Sequence, residues 1–245
     1  MSAYPPELLR RVLVLGAGGL LGAALCPLLR RRGAEVLAPP RETLDVTDGG
    51  ALARYVDLER PTLVMNLAAV SNVDACEGHP ELAREINGLA AGRVAQAARR
   101  AGALVVQISS DYVFDGEALG DEQDAPRPYD ERDASGTPES VYGRSKALGE
   151  ARVREESEEH VIVRIAALFG PGRRDVVDWV VDEAKADAPL PLIDDCTISP
   201  TYTVDLAEQL WLLLASGRFE HGTYHATQGG SCSWYSLARE ALRLA

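Results

Sequence analysis

Short apolar runs of strand length alternate along this chain with longer stretches whose apolar residues recur at helical spacing. The first run, RVLVL at residues 11–15, predicts a strand that passes directly into the glycine cluster GAGGLLG. Leu21, Leu25, Leu28 and Leu29 then follow a helical period, and Gly33 marks the end of that helix. Pro27 falls inside it, where a missing backbone donor predicts a kink or an early end. Further on, the pattern predicts a strand at 34–38, a short helix after DVTD, a strand at 62–68 and an alanine-rich helix at about 80–101. The strand expected at 104–109 is almost wholly apolar, as a strand covered on both faces should be. Residues 115–138 are rich in Asp, Glu, Pro and Gly and predict a long surface loop, a feature uncommon unless it serves function. A helix over 140–158 and a strand over 160–168 continue the alternation.

This order predicts an α/β fold, a doubly wound parallel sheet of Rossmann type with helices on both faces. A ligand in such a sheet sits at the carboxyl ends of the strands, beside the switch in strand order. After residue 170 the pattern becomes mixed, with a helix at 175–186, a strand at 190–198 and helices at 203–216 and 233–244. The division expected is a dinucleotide-binding domain over 1–170 and a small mixed α/β lobe over 171–245, intertwined with it.

Composition narrows the partners. The hydrophobic share of 46% and charged share of 25% are those of an ordinary globular chain. A net charge of −12 repels nucleic acid and anionic membranes. Cys26, Cys76, Cys196 and Cys232 show no metal-finger spacing and read as reduced thiols of a cytoplasmic protein. The opening MSAYPPELLRR has no apolar stretch of a secretory leader, and no run approaches the roughly 20 apolar residues of a membrane span. His79, His160, His221 and His225 are too dispersed to predict a metal site. The oligomeric state is left open, a homodimer included.

Gly16, Gly19 and Gly22, with Gly18 beside them, lie between a strand and a helix. Such a turn admits positive φ and brings a pyrophosphate against unpaired amides at a helix start. It departs from G-x-G-x-x-G, because Leu21 stands at the last glycine position. The second strand ends in Ala38-Pro39-Pro40-Arg41, without the acidic residue that holds an adenosine ribose. Arg41 there would accept a 2′-phosphate and favour NADPH over NADH; the alternative is a solvated loop arginine.

Tyr142 and Lys146 stand four apart at the start of a predicted helix and so project from one face. An ammonium one turn from a phenol favours the phenolate and would bring its pKa toward working pH. Ser110, at the end of the fourth strand, lies at the ligand edge and would hydrogen-bond a carbonyl.

Taken together, ISSDYVFDG (108–116), VYGRSKALGE (141–150), DVTD (45–48), NLAAVSNVDACE (66–77) and SPTY (199–202) resemble the dTDP-4-dehydrorhamnose reductases, extended short-chain dehydrogenase/reductases. The resemblance runs from Arg11 to about Ala241. It implies reduction of the 4-keto group of dTDP-4-dehydro-L-rhamnose, usually with NADPH. By the same resemblance Ser110 orients the keto oxygen, Tyr142 gives the proton, and Lys146 binds the nicotinamide ribose. Gly19, Leu20, Leu21 and Gly22 match the pyrophosphate turn, Asp45 and Val46 the adenine contacts, and Ala68, Ala69 and Ser71 the nicotinamide loop. Asp111 and Tyr112 fall where the family touches substrate, and Asn87 matches an asparagine that supports the site.

Two departures fall on the sugar side. The family reads R-T-S-W-V-Y-G after the fifth strand, whereas this chain has Arg164-Ile165-Ala166-Ala167-Leu168-Phe169-Gly170, with Ala167 at the tryptophan position. The family also continues past the SWYSLAREAL helix with more of the substrate lobe. The segment from Arg164 is close to one in relatives resembling the regulatory subunit of methionine adenosyltransferase, which implies a second reading as a non-catalytic dinucleotide-binding partner. Ser110, Tyr142 and Lys146 together favour catalysis.

Overall fold

A computed structural model of the protein describes residues 6–117, 119–120, 126–186 and 189–245. The start of the segment read as lacking a leader, residues 1–5, lies outside them, as do residues 118 and 121–125 of the expected loop.

Strand β1 (Arg11–Leu15) is followed by α1 (Leu20–Arg31), which runs through Pro27. Pro27 sits on the exposed side of the helix, while Leu21, Leu25, Leu28 and Leu29 are buried. Next come β2 (Glu35–Leu37) and α2 (Gly49–Glu59), whose first turn is capped by Asp48 of the DVTD run through a 2.8 Å bond from the Ala51 amide. Strand β3 (Leu63–Asn66) leads to α3 (Val73–Gly78), then α4 (Pro80–Ala83), a π-helical turn (Arg84–Leu89) and α5 (Ala90–Ala101). The alanine-rich helix of the sequence is therefore interrupted by a π turn at Asn87.

Strand β4 (Leu104–Ser110) is buried throughout. Within the expected loop, β5 (Leu119–Gly120) and β6 (Pro126–Arg127) pair antiparallel. Then follow α6 (Val141–Glu156), capped by Ser140, and β7 (His160–Ile165). The strand expected to reach residue 168 breaks first, because Ala167 takes a left-handed φ of 30°. The next pair, β8 (Leu168–Phe169), leaves the main sheet to pair with β10 (Thr201–Tyr202).

Helix α7 (Val176–Lys185) begins at a capping box between Asp175 and Asp178. The strand expected at 190–198 is reduced to β9 (Thr197–Ile198), which pairs with β12 (Cys232–Ser233) ahead of α9 (Trp234–Leu244). Between them lie α8 (Thr203–Ser216) and β11 (Gly222–His225).

The central sheet has six strands in the order β11-β7-β4-β3-β1-β2, and every pairing within it is parallel. The α/β doubly wound sheet expected from the sequence is thus present. One face carries α1 and α8, with Leu25, Leu29, Leu206 and Leu210 in its core. The other carries α2, α5 and α6, with Leu52, Val94, Ala98 and Val153 in its core. Strand β11 belongs to the last quarter of the chain yet completes the main sheet, so residues beyond 170 contribute to both parts. The chain leaves β1 for β2 on one side and returns to β3 on the other. The crevice at the carboxyl ends of β1 and β3 is therefore the switch point. Among the described residues no helix is long and apolar enough to cross a membrane.

Candidate active site

The turn after β1 exists in this shape because two of its residues lack a Cβ. Gly16 has φ +78, and a Cβ there would lie 2.6 Å from the backbone nitrogen of Ala68. A Cβ on Gly22 would lie 2.3 Å from the carbonyl oxygen of Ala17. The Gly19 amide closes the turn onto the Gly16 carbonyl at 3.0 Å. Gly19 then caps α1 with extended backbone, no side chain bonds the first turn, and no acidic residue occupies it. The opening amides of a helix have no intrahelical acceptor, so those of Leu20, Leu21 and Gly22 are available to an anion, aided by the helix dipole. Glycine at these two positions lets the backbone close this tightly, and the amides left free at the helix start suit a dinucleotide pyrophosphate.

Across the switch point, Ala68, Ala69 and Ser71 form the loop after β3, with Ala69 and Ser71 exposed. This loop is pinned at both ends. Asn66 accepts from the Ala68 amide at 3.2 Å and donates to Gln107 at 2.7 Å. Asn87, buried on the π turn, accepts from the Val70 amide at 2.8 Å and donates to the Val70 carbonyl at 3.0 Å. Asn87 also donates to Ser145 at 2.9 Å, and Ser145 lies between Tyr142 and Lys146 on α6. One asparagine therefore joins the loop to the helix. Its position was legible only through the family resemblance, because helical periodicity carries no sign of a π turn.

On the β2 side, Arg41 is exposed and its Nε donates to Asp45 at 3.1 Å. Asp45 also accepts from the Thr47 amide at 2.9 Å and the Thr47 hydroxyl at 2.7 Å. These bonds, the amide foremost, hold its carboxyl below the usual range. Val46 is buried beside it.

Ser110, Tyr142 and Lys146 meet at the end of β4. Tyr142, half-buried in the first turn of α6, lies beside the Ser110 hydroxyl, which acts on its phenol. Lys146, buried one turn later, donates to the Ile108 carbonyl at 2.6 Å. Ser110 donates to Asp111 at 2.9 Å and accepts from the Tyr112 amide at 3.3 Å. Tyr112 meets the Tyr142 ring edge-on, with centroids 5.5 Å apart.

The electrostatics correct one expectation. Burial, reinforced by the charge of Asp111, pushes the Tyr142 phenol above the ordinary tyrosine value, against the effect of the Ser110 hydroxyl. Lys146 is not among the groups that shift it; its ammonium bonds the Ile108 carbonyl. Burial pulls Lys146 itself down to about 8, with Glu150 opposing. Asp111 is raised by burial, and Tyr112 by burial and then by Asp111.

Behind this cluster lies a buried ionic network that periodicity alone did not reveal. Glu150, one turn beyond Lys146, accepts from Ser109 at 2.6 Å and from Arg164 Nε and Nη2, both at 2.9 Å. Burial pushes the Glu150 carboxyl up, and the bonds from Arg164 and Ser109 more than reverse this, leaving it lowered. Arg164 also lies over the Phe114 ring, 4.9 Å from its centre. The signal was a lone arginine inside the apolar run of β7, which a buried strand tolerates only with a partner.

The segment after β7 borders a second space. Phe169 and Tyr202 face each other at 5.5 Å, and an open cleft of about 630 Å³ runs from them to Arg173, Arg174 and Asp178. Ala167 precedes this segment, and its carbonyl accepts from the Thr201 amide at 3.0 Å.

A glycine turn at the switch point, facing a tyrosine and a lysine one helical turn apart, is the arrangement of the extended short-chain dehydrogenase/reductases, and this chain is of that class. Residues 10–245 match the family model described as RmlD substrate binding domain. A dTDP-4-dehydrorhamnose reductase of Streptomyces griseus is 43% identical, over 100% of this chain and 78% of its own. The spore coat polysaccharide biosynthesis protein SpsK of Bacillus subtilis is 37% identical, over 93% of this chain and 77% of its own. The crystal structure of a dTDP-4-dehydrorhamnose reductase from Bacillus anthracis in complex with NADP superposes with a TM-score of 0.86 at 32% identity, covering 96% of this chain and 80% of that one. That from Clostridium acetobutylicum gives 0.87 at 36% identity with the same coverage. The chain belongs to the dTDP-4-dehydrorhamnose reductase family.

Proposed function

We propose that this protein is a cytoplasmic oxidoreductase that uses NADPH to reduce the 4-keto group of a dTDP-linked sugar, turning dTDP-4-dehydro-L-rhamnose into dTDP-L-rhamnose. The observation that carries the reading is the convergence of Tyr142 and Lys146 on β4 beside Ser110, across the switch point from an anion-ready glycine turn.

Gly16 and Gly22 shape the turn, and the amides beyond Gly19, at Leu20 and Leu21, hold the pyrophosphate. Asp45 and Val46 flank the adenine, and Arg41 takes the 2′-phosphate through the guanidinium nitrogens that Asp45 does not occupy. Ala68, Ala69 and Ser71 line the nicotinamide side. When bound, the dihydronicotinamide supplies the hydride that the sugar C4 needs. Tyr142 is protonated at working pH because it is buried, so it has a proton to give to the oxygen as negative charge develops there. Ser110 links the phenol to Asp111 and orients that oxygen. Lys146 carries its charge below about 8, binds the nicotinamide ribose and favours the phenolate left behind. Asp111 and Tyr112 border the sugar.

The regulatory reading is not favoured. Relatives at 43% and 36% identity are reductases by name, and Ser110, Tyr142 and Lys146 lie together at the end of β4.

The test is a turnover assay with NADPH and dTDP-4-dehydro-L-rhamnose generated in place by the upstream enzymes, following nicotinamide absorbance. The wild type should consume NADPH, and Tyr142→Phe should lose turnover while still binding NADPH. Near-normal turnover in that variant would sink the assignment; NADPH binding without wild-type turnover would move the substrate elsewhere.

A further inference from the structure

The substrate-side segment after β8 reaches back to the glycine turn. Arg173 donates from Nη1 to the carbonyl of Gly18, which lies within the turn itself. The contact is set by backbone packing: Gly172 has φ +104, and a Cβ there would lie 2.9 Å from the Ala23 side chain on α1. The loop is therefore pressed against the first turn of the helix whose amides face the pyrophosphate.

Charge makes this contact more than a strap. A chain of net charge −12 that receives a polyanion gains from local cations at the cradle. Arg41 is engaged by Asp45, and Arg174 pairs with Asp182 at 3.0 Å. Arg173 forms no ion pair among the described residues. A guanidinium has five N–H donors, and the Gly18 carbonyl accounts for one group of them. The rest border the open cleft beside the turn.

We infer that Arg173 is a cofactor-binding residue, placing its guanidinium on the dinucleotide pyrophosphate while anchoring the substrate-side loop to the Gly18 carbonyl. The inference rests on the reading of the glycine turn as the dinucleotide site. It assigns to the segment before α7 a share in holding the cofactor, so that the lobe that carries the sugar pocket also registers whether the cofactor is in place. Arg173 is exposed, so replacing it leaves the core intact.

The experiment measures NADPH affinity by nicotinamide fluorescence or calorimetry for the wild type, Arg173→Ala and Arg173→Lys. Adenosine 2′-monophosphate, which lacks the pyrophosphate, serves as the second ligand. Loss of a charge-assisted contact should weaken NADPH binding about tenfold in Arg173→Ala. The affinity for adenosine 2′-monophosphate should not change, and Arg173→Lys should recover part of the loss. NADPH affinity within twofold of wild type in Arg173→Ala, or an equal loss for both ligands, overturns the inference. A wild type that binds neither ligand overturns the reading of the turn as well, which separates the two failures.

Discussion

Two forces act on Tyr142, and they belong to different moments of the reaction. Burial keeps the phenol protonated beforehand, and in the proposed reaction the ammonium of Lys146 would steady the phenolate afterwards. Lys146 has the lower pKa, so it is the group that titrates as pH rises from neutrality. The kcat/KM for keto-sugar reduction should be level in the neutral range and fall through an apparent pKa of about 8 as the ammonium is lost. A profile still level well above that value would show that the charge of Lys146 plays no part. The spacing of Tyr142 and Lys146 and the glycines of the turn were legible as residues. Which partner each side chain reaches was not, because the Ile108 carbonyl and the Ser110 hydroxyl arrive from a strand distant in sequence.

At the scale of elements, α6 is held to the sheet by charge as well as by packing. Glu150 and Arg164 are both buried, and Ser109, which bonds Glu150, adjoins Ser110 on β4. Removing one partner of such a pair leaves an uncompensated charge in the interior. Glu150→Ala should therefore destabilise the protein by about 3–5 kcal/mol, measured by urea unfolding. A double replacement, Glu150→Leu with Arg164→Met, should lose much less, because no unpaired buried charge then remains; Arg154, which also pairs with Glu150, is exposed enough to be hydrated. Equal losses in the two variants would mean that packing, not charge, holds the helix. Elements with a long amphipathic stripe were legible in the sequence: α8 and β1 match their expected spans. The strand expected over 190–198 failed because its apolar residues belong mostly to irregular chain, with only Thr197 and Ile198 pairing. An apolar run specifies burial; pairing needs a partner edge.

For the whole molecule, β11 is the decisive piece. Its pairing with β7 from Gly222 to His225 builds the last quarter of the chain into the dinucleotide-binding sheet. The lobe over 171–245 was expected to be intertwined with the first domain, and β11 pairs with β7 across the boundary at residue 170. Thermal unfolding should be a single transition that shifts as a whole with NADPH. At a hundred times the dissociation constant, binding adds about 2.7 kcal/mol, or roughly 5–10 °C for a chain of this length. A second transition indifferent to NADPH would show that the C-terminal part melts alone.

The sequence by itself determined the alternation of strands and helices, the glycine turn between the first of each, and the identity of Ser110, Tyr142 and Lys146. Those are local properties, set by periodicity, by residues with special backbone freedom and by fixed spacing along one helix. Tertiary structure alone decided the sixth strand, the π turn that carries Asn87 to two elements, the ion pair behind the catalytic strand, and the reach of Arg173 to Gly18. Each of these joins segments far apart in the chain, and a contact between distant segments is fixed by how the layers pack, which no local pattern records.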